Sequence, residues 1–386
     1  MEKICDYKDC TGCGVCAAVC PKHCISFIIG DLGHVYPKID VNKCIDCKRC
    51  ERECVAINDQ PKIRPRIAYA GIIKNEYDYK TTTSGGAAQA ISQYCIQNGG
   101  VVYGCASLPG GEIEHIRVED LQSLELLKGS KYVQSTILKI VPQLIADVRS
   151  GRKVVFIGTP CQCGAVKLLF KENPDSLTVV ELICHGVPSK RFLYDYLNRQ
   201  GVNTNDIDRM WFRTEKGFQI LCAKKAGDSY SPIYESIPLW SRGCHDLYYN
   251  TFFYGYSYRP SCYHCKFARP ERIGDITIGD FWGLGRDIPA DDIPGYSGGI
   301  SVILPCTDKG LAMVNAVGAL MDLYERPVEE AIAGNHQLQH PTVRGLDVYL
   351  FYHLSKVAGL RLAFDISFFL RRLGGRIKHI LHPERH

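Results

Sequence analysis

Several features are scarce in this 386-residue sequence, and each scarcity removes a class of protein. No apolar run approaches the roughly 20 residues of a membrane-spanning helix, so no transmembrane segment is expected. The opening residues MEKICDYKDC lack the apolar core of a secretory signal, which makes a cytoplasmic location the expectation. A formal net charge of +5 is too small to argue for a nucleic-acid partner. The full G-x-G-x-x-G fingerprint is missing, which leaves a standard nicotinamide-binding Rossmann unit without support. With 46% hydrophobic and 23% charged residues, the chain has material for about two or three domains.

Cysteine is abundant, with 20 in the chain. Outside two regular runs they lack a pairing pattern, which points to a reducing compartment rather than a disulfide scaffold. The runs are Cys10, Cys13, Cys16 and Cys20, followed by Pro21, and then Cys44, Cys47, Cys50 and Cys54. Each reads C-x2-C-x2-C-x3-C, the spacing by which thiolates hold a pair of [4Fe-4S] cubanes with the fourth cysteine of each run crossing to the other cluster. Cys10, Cys13, Cys16 and Cys54 are therefore expected around one cluster, and Cys44, Cys47, Cys50 and Cys20 around the other. Zinc would need only four sulfurs per site and no third evenly spaced cysteine in each run. Val55 stands where such a motif often has proline, which affects the turn but not the ligand count. A two-cluster module moves single electrons, so the remaining chain is expected to supply or consume them.

Residues 1–60 read as this module, with ISFIIGDLGHVYPKID forming two short strands about a turn near Gly30, Asp31 and Gly33. PKIRPR, residues 61–66, reads as a linker. Beyond it, strand-like runs at 67–73, 101–106, 154–157, 177–184, 276–278 and 300–304 alternate with helical patterns at 87–97, 137–148, 190–200 and 309–324. That alternation predicts an α/β core with helices covering a largely parallel sheet. Two turns, Thr83 to Gly86 and the turn over 158–162, sit where strands hand over to helices. The second is read as giving way to a helix at Ala165. Each could carry the pyrophosphate of a dinucleotide at a helix N-terminus, or could be an ordinary tight turn. Residues 343–386 carry eight Lys/Arg against three Asp/Glu, with Ile366, Phe369, Leu370, Leu373, Ile377, Ile380 and Leu381 at helical spacing. This basic helical segment reads as packed on its own domain, with peripheral membrane or protein contact as the other reading. Gly374 and Gly375 weaken the helix.

The segments TSGGA, LKGSKYVQS, FIGTPCQ, CHGVPS, and RPSCYHC running on to DITIGDFWG lie in one order over the core. In these the chain resembles the beta-subunit family of coenzyme F420 (deazaflavin) hydrogenases and dehydrogenases, with an N-terminal ferredoxin-type domain fused to it. The resemblance implies an iron-sulfur flavoprotein oxidoreductase with FAD and an additional [4Fe-4S] cluster, over residues 67–342. The residues independently require a group that converts two-electron hydride chemistry to single electrons, which flavin does. The implied fold is an α+β ferredoxin-like 2[4Fe-4S] module followed by a mixed α/β flavin-binding domain. FAD contacts are expected from Ser84, Gly85 and Gly86, from Lys131, Tyr132 and Gln134, and from Gly158, Thr159 and Gln162. Lys131 would pair with phosphate or a ring oxygen, or else be a solvated surface lysine.

The third cubane is expected on Cys161, Cys184, Cys262 and Cys265, because these lie in the segments that carry the resemblance; Cys163 and Cys244 are alternative ligands, and Asp280 could replace a thiolate. His185 and Asp280 are the nearby proton donors, each equally readable as structural, and no catalytic residue is assigned. Three functions stay open. One is an oxidoreductase passing electrons between the clusters and a substrate at FAD, with a redox protein or a small-molecule hydride carrier as partner. The second is a non-catalytic electron-transfer subunit serving a separate catalytic partner, and the third a protein whose clusters only stabilise its fold.

Overall fold

The computed structural model describes residues 1–170, 174–239, 246–295 and 299–381, with side chains as far as residue 373. The first elements are the hairpin read from the sequence, β1 (Ile25–Ile29) and β2 (Val35–Ile39), antiparallel with Ile25 opposite Ile39. Gly33 closes its turn at φ 78, where an added Cβ would meet Arg191 Cβ at 2.3 Å. Glycine is required there by both conformation and space.

The core is built on β3 (Ala68–Ile73), β4 (Val101–Leu108), β5 (Glu112–Val118), β6 (Val154–Gly158) and β7 (Leu177–Leu182). After them come β8 (Arg209–Thr214), β9 (Gly217–Ala226) and β10 (Ser229–Glu235), then β11 (Ile276–Asp280), β12 (Ser301–Pro305) and β13 (Met321–Arg326). One sheet has the order β13-β3-β12-β11-β7-β6-β4-β5. Only the β11·β7, β7·β6 and β6·β4 pairs are parallel. The expected largely parallel sheet is thus a mixed one. Parallel neighbours need a crossover, and helices Val141–Arg149 and Pro160–Leu168 supply it on either side of β6, whereas β4 and β5 are joined by the short turn at Pro109–Gly111.

Alternation along the central strands sends side chains to two cores. Val101, Tyr103, Val154 and Phe156 face one layer with Leu144, Val148 and Val166, and Val102, Val155 and Val180 face the other with Ile91, Val314 and Val317. Val15, Val19 and Val55 of the N-terminal module sit in the first of these cores. The 61–66 segment is docked too: Ile63 and Arg272 exchange backbone hydrogen bonds of 2.9 Å.

Strands β8, β9 and β10 form a separate antiparallel sheet. Its aromatic core joins Phe212 and Phe218 to Tyr196, Tyr248 and Tyr249, and to Phe351 and Phe364 of the C-terminal helices Leu346–Val357 and Gly359–Leu381. One side of that helix pair packs on its own domain, while Leu362, Phe369 and Leu373 remain exposed. The side chains of Ile377, Ile380 and Leu381 lie outside the described residues. Among the described residues no helix is long and apolar enough to cross a membrane.

Three boundaries differ from expectation. The helix expected over 137–148 starts at Val141, next to Pro142, while the Ile137 amide bonds Cys13 O at 3.1 Å. The 309–324 helix is Asp308–Val317 followed by β13, an edge strand pairing with β3. The turn at 158–162 is mostly helix: Thr159 is the N-cap, Pro160 opens Pro160–Leu168, and Thr159 and Gln162 form a capping box.

Candidate functional site

Cys10, Cys13, Cys16 and Cys54 line one cavity, joined by Cys5, and Cys20, Cys44, Cys47 and Cys50 line another, joined by Cys24. The crossed grouping read from the spacing is the one the backbone makes. Gly12 and Gly14 (φ 69 and 86) in the first run correspond to Asp46 and Lys48 (φ 51 and 56) in the second. The left-handed residues turn successive thiols to one side. In the first run only glycine fits: a Cβ on Gly12 would meet Gln134 Nε2 at 2.5 Å, and one on Gly14 would meet Leu138 Cβ at 2.9 Å. The second run is open to solvent and tolerates side chains, at about 1–2 kcal/mol per left-handed residue.

Spacing gives no reason to include Cys5 or Cys24. Cys24 Sγ is 3.4 Å from Cys20 Sγ. Hydrogen bonding from Cys5 holds the Cys10 thiol down at about 6 and the Cys54 thiol at about 7, with Arg259 also acting on Cys10. Among the described residues, no group of three or more His, Cys, Asp and Glu is placed to hold a metal ion. The sulfurs instead stand around cavities.

Cys161, Cys184, Cys262 and Cys265 line a third cavity of about 100 Å³. Cys161 is in the first turn of Pro160–Leu168, Cys184 lies just past β7, and Cys262 lies in the turn Pro260–His264, with Cys265 next after it. Burial pushes Cys184 and Cys262 up to about 12 and raises Cys161 and Cys265 as well, with the neighbouring sulfurs adding to it for Cys161, Cys184 and Cys262. Cys163 is not part of this group, since its buried Sγ turns to the carbonyls of Gly158 and Val180. Cys244 lies outside the described residues. Asp280 is also elsewhere, in a two-oxygen ion pair with Arg213 Nη1 at 2.9 and 3.0 Å. The loop bearing Cys265 is anchored by buried Arg272, whose Nε donates to Glu181 Oε1 at 3.0 Å and whose Nη1 donates to Phe267 O and Arg269 O.

A cavity of about 310 Å³ shares Cys161 and Cys184 with the third site. That volume is at the lower end of small-molecule sites, about 300–1,000 Å³. Ser84, Gly86, Lys131, Tyr132, Gln134, Gly158, Thr159 and Gln162 line it. Gly85 does not; it packs on β3, where a Cβ would meet Gly71 O at 1.9 Å.

Several of these side chains already have protein partners. Ser84 Oγ donates to Ile300 O at 2.7 Å, Gln134 Nε2 to Thr11 O at 2.8 Å, and Gln162 Nε2 to Ser135 O at 3.0 Å. All three line the cavity with those donors engaged by the protein. Lys131 is not a solvated lysine. Its Nζ donates to Leu127 O at 2.8 Å and Lys128 O at 3.0 Å, and burial lowers it to about 8. Tyr132 packs among Phe212, Phe218, Tyr249 and Phe252.

Sequence reading missed His115 in this wall; its Nε2 donates to Ile157 O at 3.1 Å and Nδ1 accepts from Ser135 Oγ at 2.9 Å. His185 lines both cavities, and burial with His336 beside it lowers it to about 4.

Residues 151–330 match the family model for the C terminus of the Coenzyme F420 hydrogenase/dehydrogenase beta subunit. The matched stretch contains all four cysteines of the third cavity and neither N-terminal run. An uncharacterized protein of Methanocaldococcus jannaschii is 24% identical over 247 residues, spanning 54% of this chain and 68% of the relative. A chain of the F420-reducing [NiFe] hydrogenase complex from Methanosarcina barkeri superposes with a TM-score of 0.45 at 16% identity, covering 81% of this chain and 94% of that one. That superposition is too loose to bear on the site.

Proposed function

We propose that this chain is an iron-sulfur electron-transfer protein of an oxidoreductase. In this reading the two N-terminal cysteine groups and the third group each hold a [4Fe-4S] cluster, and the 310 Å³ cavity holds FAD. The observation that carries the reading is continuity. Cys13 lies within the electrostatic reach of Cys161, and Cys161 walls both the third cavity and the large one. Electrons could thus pass from cage to cage and reach the large cavity within one chain.

The donor chemistry fits each group. Thiols crowded around a cavity suit a cubane, whose corners take separate thiolates. In the large cavity, the turn before helix Ala87–Gln97, the Lys131 amine and an apolar wall at Tyr132 and Phe252 suit a phosphate-bearing aromatic ligand. When bound, FAD would exchange single electrons with the clusters and electron pairs with a hydride carrier. Lys131 would meet its negative charge.

The match of residues 151–330 to a family of subunits favours service to a separate catalytic partner over a free-standing enzyme. The substrate-side partner is then a redox protein or a small-molecule hydride carrier. Anaerobically purified and reconstituted protein is expected to hold about twelve irons with matching sulfide, and one FAD per chain. About eight irons would remove the third cluster. Full iron without flavin, even after incubation with FAD, would remove the cofactor. Activity toward a hydride carrier that appears only on adding a partner protein supports the subunit reading, and activity of the chain alone supports an enzyme.

A further inference from the structure

The first and second cysteine cages share the cysteine spacing and the left-handed turn positions but differ in electrostatic surroundings. Arg259 reaches the first cage from the other end of the chain and is fully buried. Its Nε donates to Cys10 O at 2.5 Å, its Nη2 to Val35 O at 2.6 Å and to Cys10 Sγ at 3.5 Å, and its Nη1 to Gln134 Oε1 at 3.2 Å. The guanidinium also lies 4.4 Å from the centre of the Tyr36 ring. Among the described residues no carboxylate is within ion-pair distance of it. A cation buried without an anion is strongly disfavoured. Among those residues the sulfur within hydrogen-bond reach of it is that of Cys10, and its charge also acts on the Cys262 thiol of the third cavity, which Arg259 lines as well. The lining cations of the second cage, Lys22 and Arg49, are solvent-exposed, where water screens them.

We infer that Arg259 is the built-in counter-charge of the cluster in the first cage and holds that cluster's reduction potential above the potential of the second. This rests on the proposed reading that the cages hold clusters. Each added electron makes a cubane and its thiolates more negative by one charge. A fixed cation and an N–H donor at a ligand sulfur favour that state, and burial leaves the cation unscreened. Arg259 lies three residues before Cys262, so one turn both carries a wall cysteine of the third cavity and charges the first cage. An electron entering at the solvent-facing second cage, where Cys47 is exposed, is thereby drawn inward toward the third site. Arg259 is a positioning and tuning residue, and it touches no substrate.

The test is an anaerobic redox titration of the full chain followed by low-temperature EPR, on parent, Arg259→Gln and Arg259→Lys, with Cys10→Ser identifying the first-cage signal. The expected result is that the first-cage midpoint moves to lower potential in Arg259→Gln, moves less in Arg259→Lys, and the second-cage midpoint, whose lining lacks Arg259, stays in place. An Arg259→Gln protein with the parent's iron content and an unchanged first-cage midpoint would overturn the inference, as would an equal shift of every cluster. If Arg259→Gln loses iron, the parent decides: a first-cage midpoint above the second-cage midpoint supports the inference, and one at or below it overturns it. The parent's own iron content tests the cluster reading separately.

Discussion

At the scale of single residues, the chemistry is controlled by what each buried polar atom is bonded to. His115 shows this for titration. Burial lowers it to about 4, from an ordinary value of 6.5. The unfolded chain therefore binds more protons than the folded one between those values, so stability present above pH 6.5 is lost as pH falls through 4. At 1.36 kcal/mol per pKa unit, this amounts to about 3 kcal/mol. Anaerobic thermal melts of parent and His115→Gln should show a steeper loss of Tm on acidification in the parent, and parallel curves would refute the assignment. Lys131 behaves oppositely with respect to a ligand. Because it is lowered to about 8, its charge is present at pH 7 and fades above pH 8. FAD retention, measured by flavin fluorescence, is expected to weaken above pH 8 in the parent. In Lys131→Met at pH 7 it should weaken by roughly tenfold, since a charged hydrogen bond contributes about 1.5–3 kcal/mol.

At the scale of elements, strands whose apolar residues have a partner on each side were legible, and edge strands were not. VVFIG in β6 is buried at every position but Ile157 and reads unmistakably as strand, whereas MDLYER in β13 mixes exposed and buried positions at the sheet edge and reads as the continuation of a helix. The loop carrying Cys265 is fixed by a feature that no local pattern reveals. Glu181 in β7 is fully buried and accepts from Arg272 Nε, Thr277 Oγ1 and the Ile273 amide. Arg272→Met leaves that carboxylate uncompensated, and a loss of about 3–5 kcal/mol is expected in denaturant unfolding. Iron should fall by about four per chain as the third site loses its anchored loop. Adding Glu181→Leu should recover part of the stability, because removing both charges is far less costly than stranding one.

At the scale of the whole molecule, the N-terminal module is embedded in the core rather than tethered to it. Gln60 Nε2 donates to Gly164 O at 2.7 Å, Lys266 Nζ to Asn58 O at 3.0 Å, and Ser189 Oγ to Leu32 O at 2.5 Å. The first cage is consequently walled by the core, and the second faces outward. Oxidative bleaching with a chelator should remove about four irons quickly and the remainder slowly; a single uniform phase would contradict the asymmetry. The eight regularly spaced cysteines, their crossed grouping, the hairpin between them and the central α/β pattern were all determined by sequence, because thiol spacing and apolar period are local quantities. Cys161, Cys184, Cys262 and Cys265 were grouped by the resemblance rather than by spacing, and only the tertiary structure brings them from across the chain to one cavity. It also decided that Gln134 and Gln162 are spent on protein partners, and that Arg259 reaches Cys10 over a separation of 249 residues. Such meetings depend on which strands become neighbours in the sheet and which side chains the close packing then buries together, and spacing along the chain encodes neither.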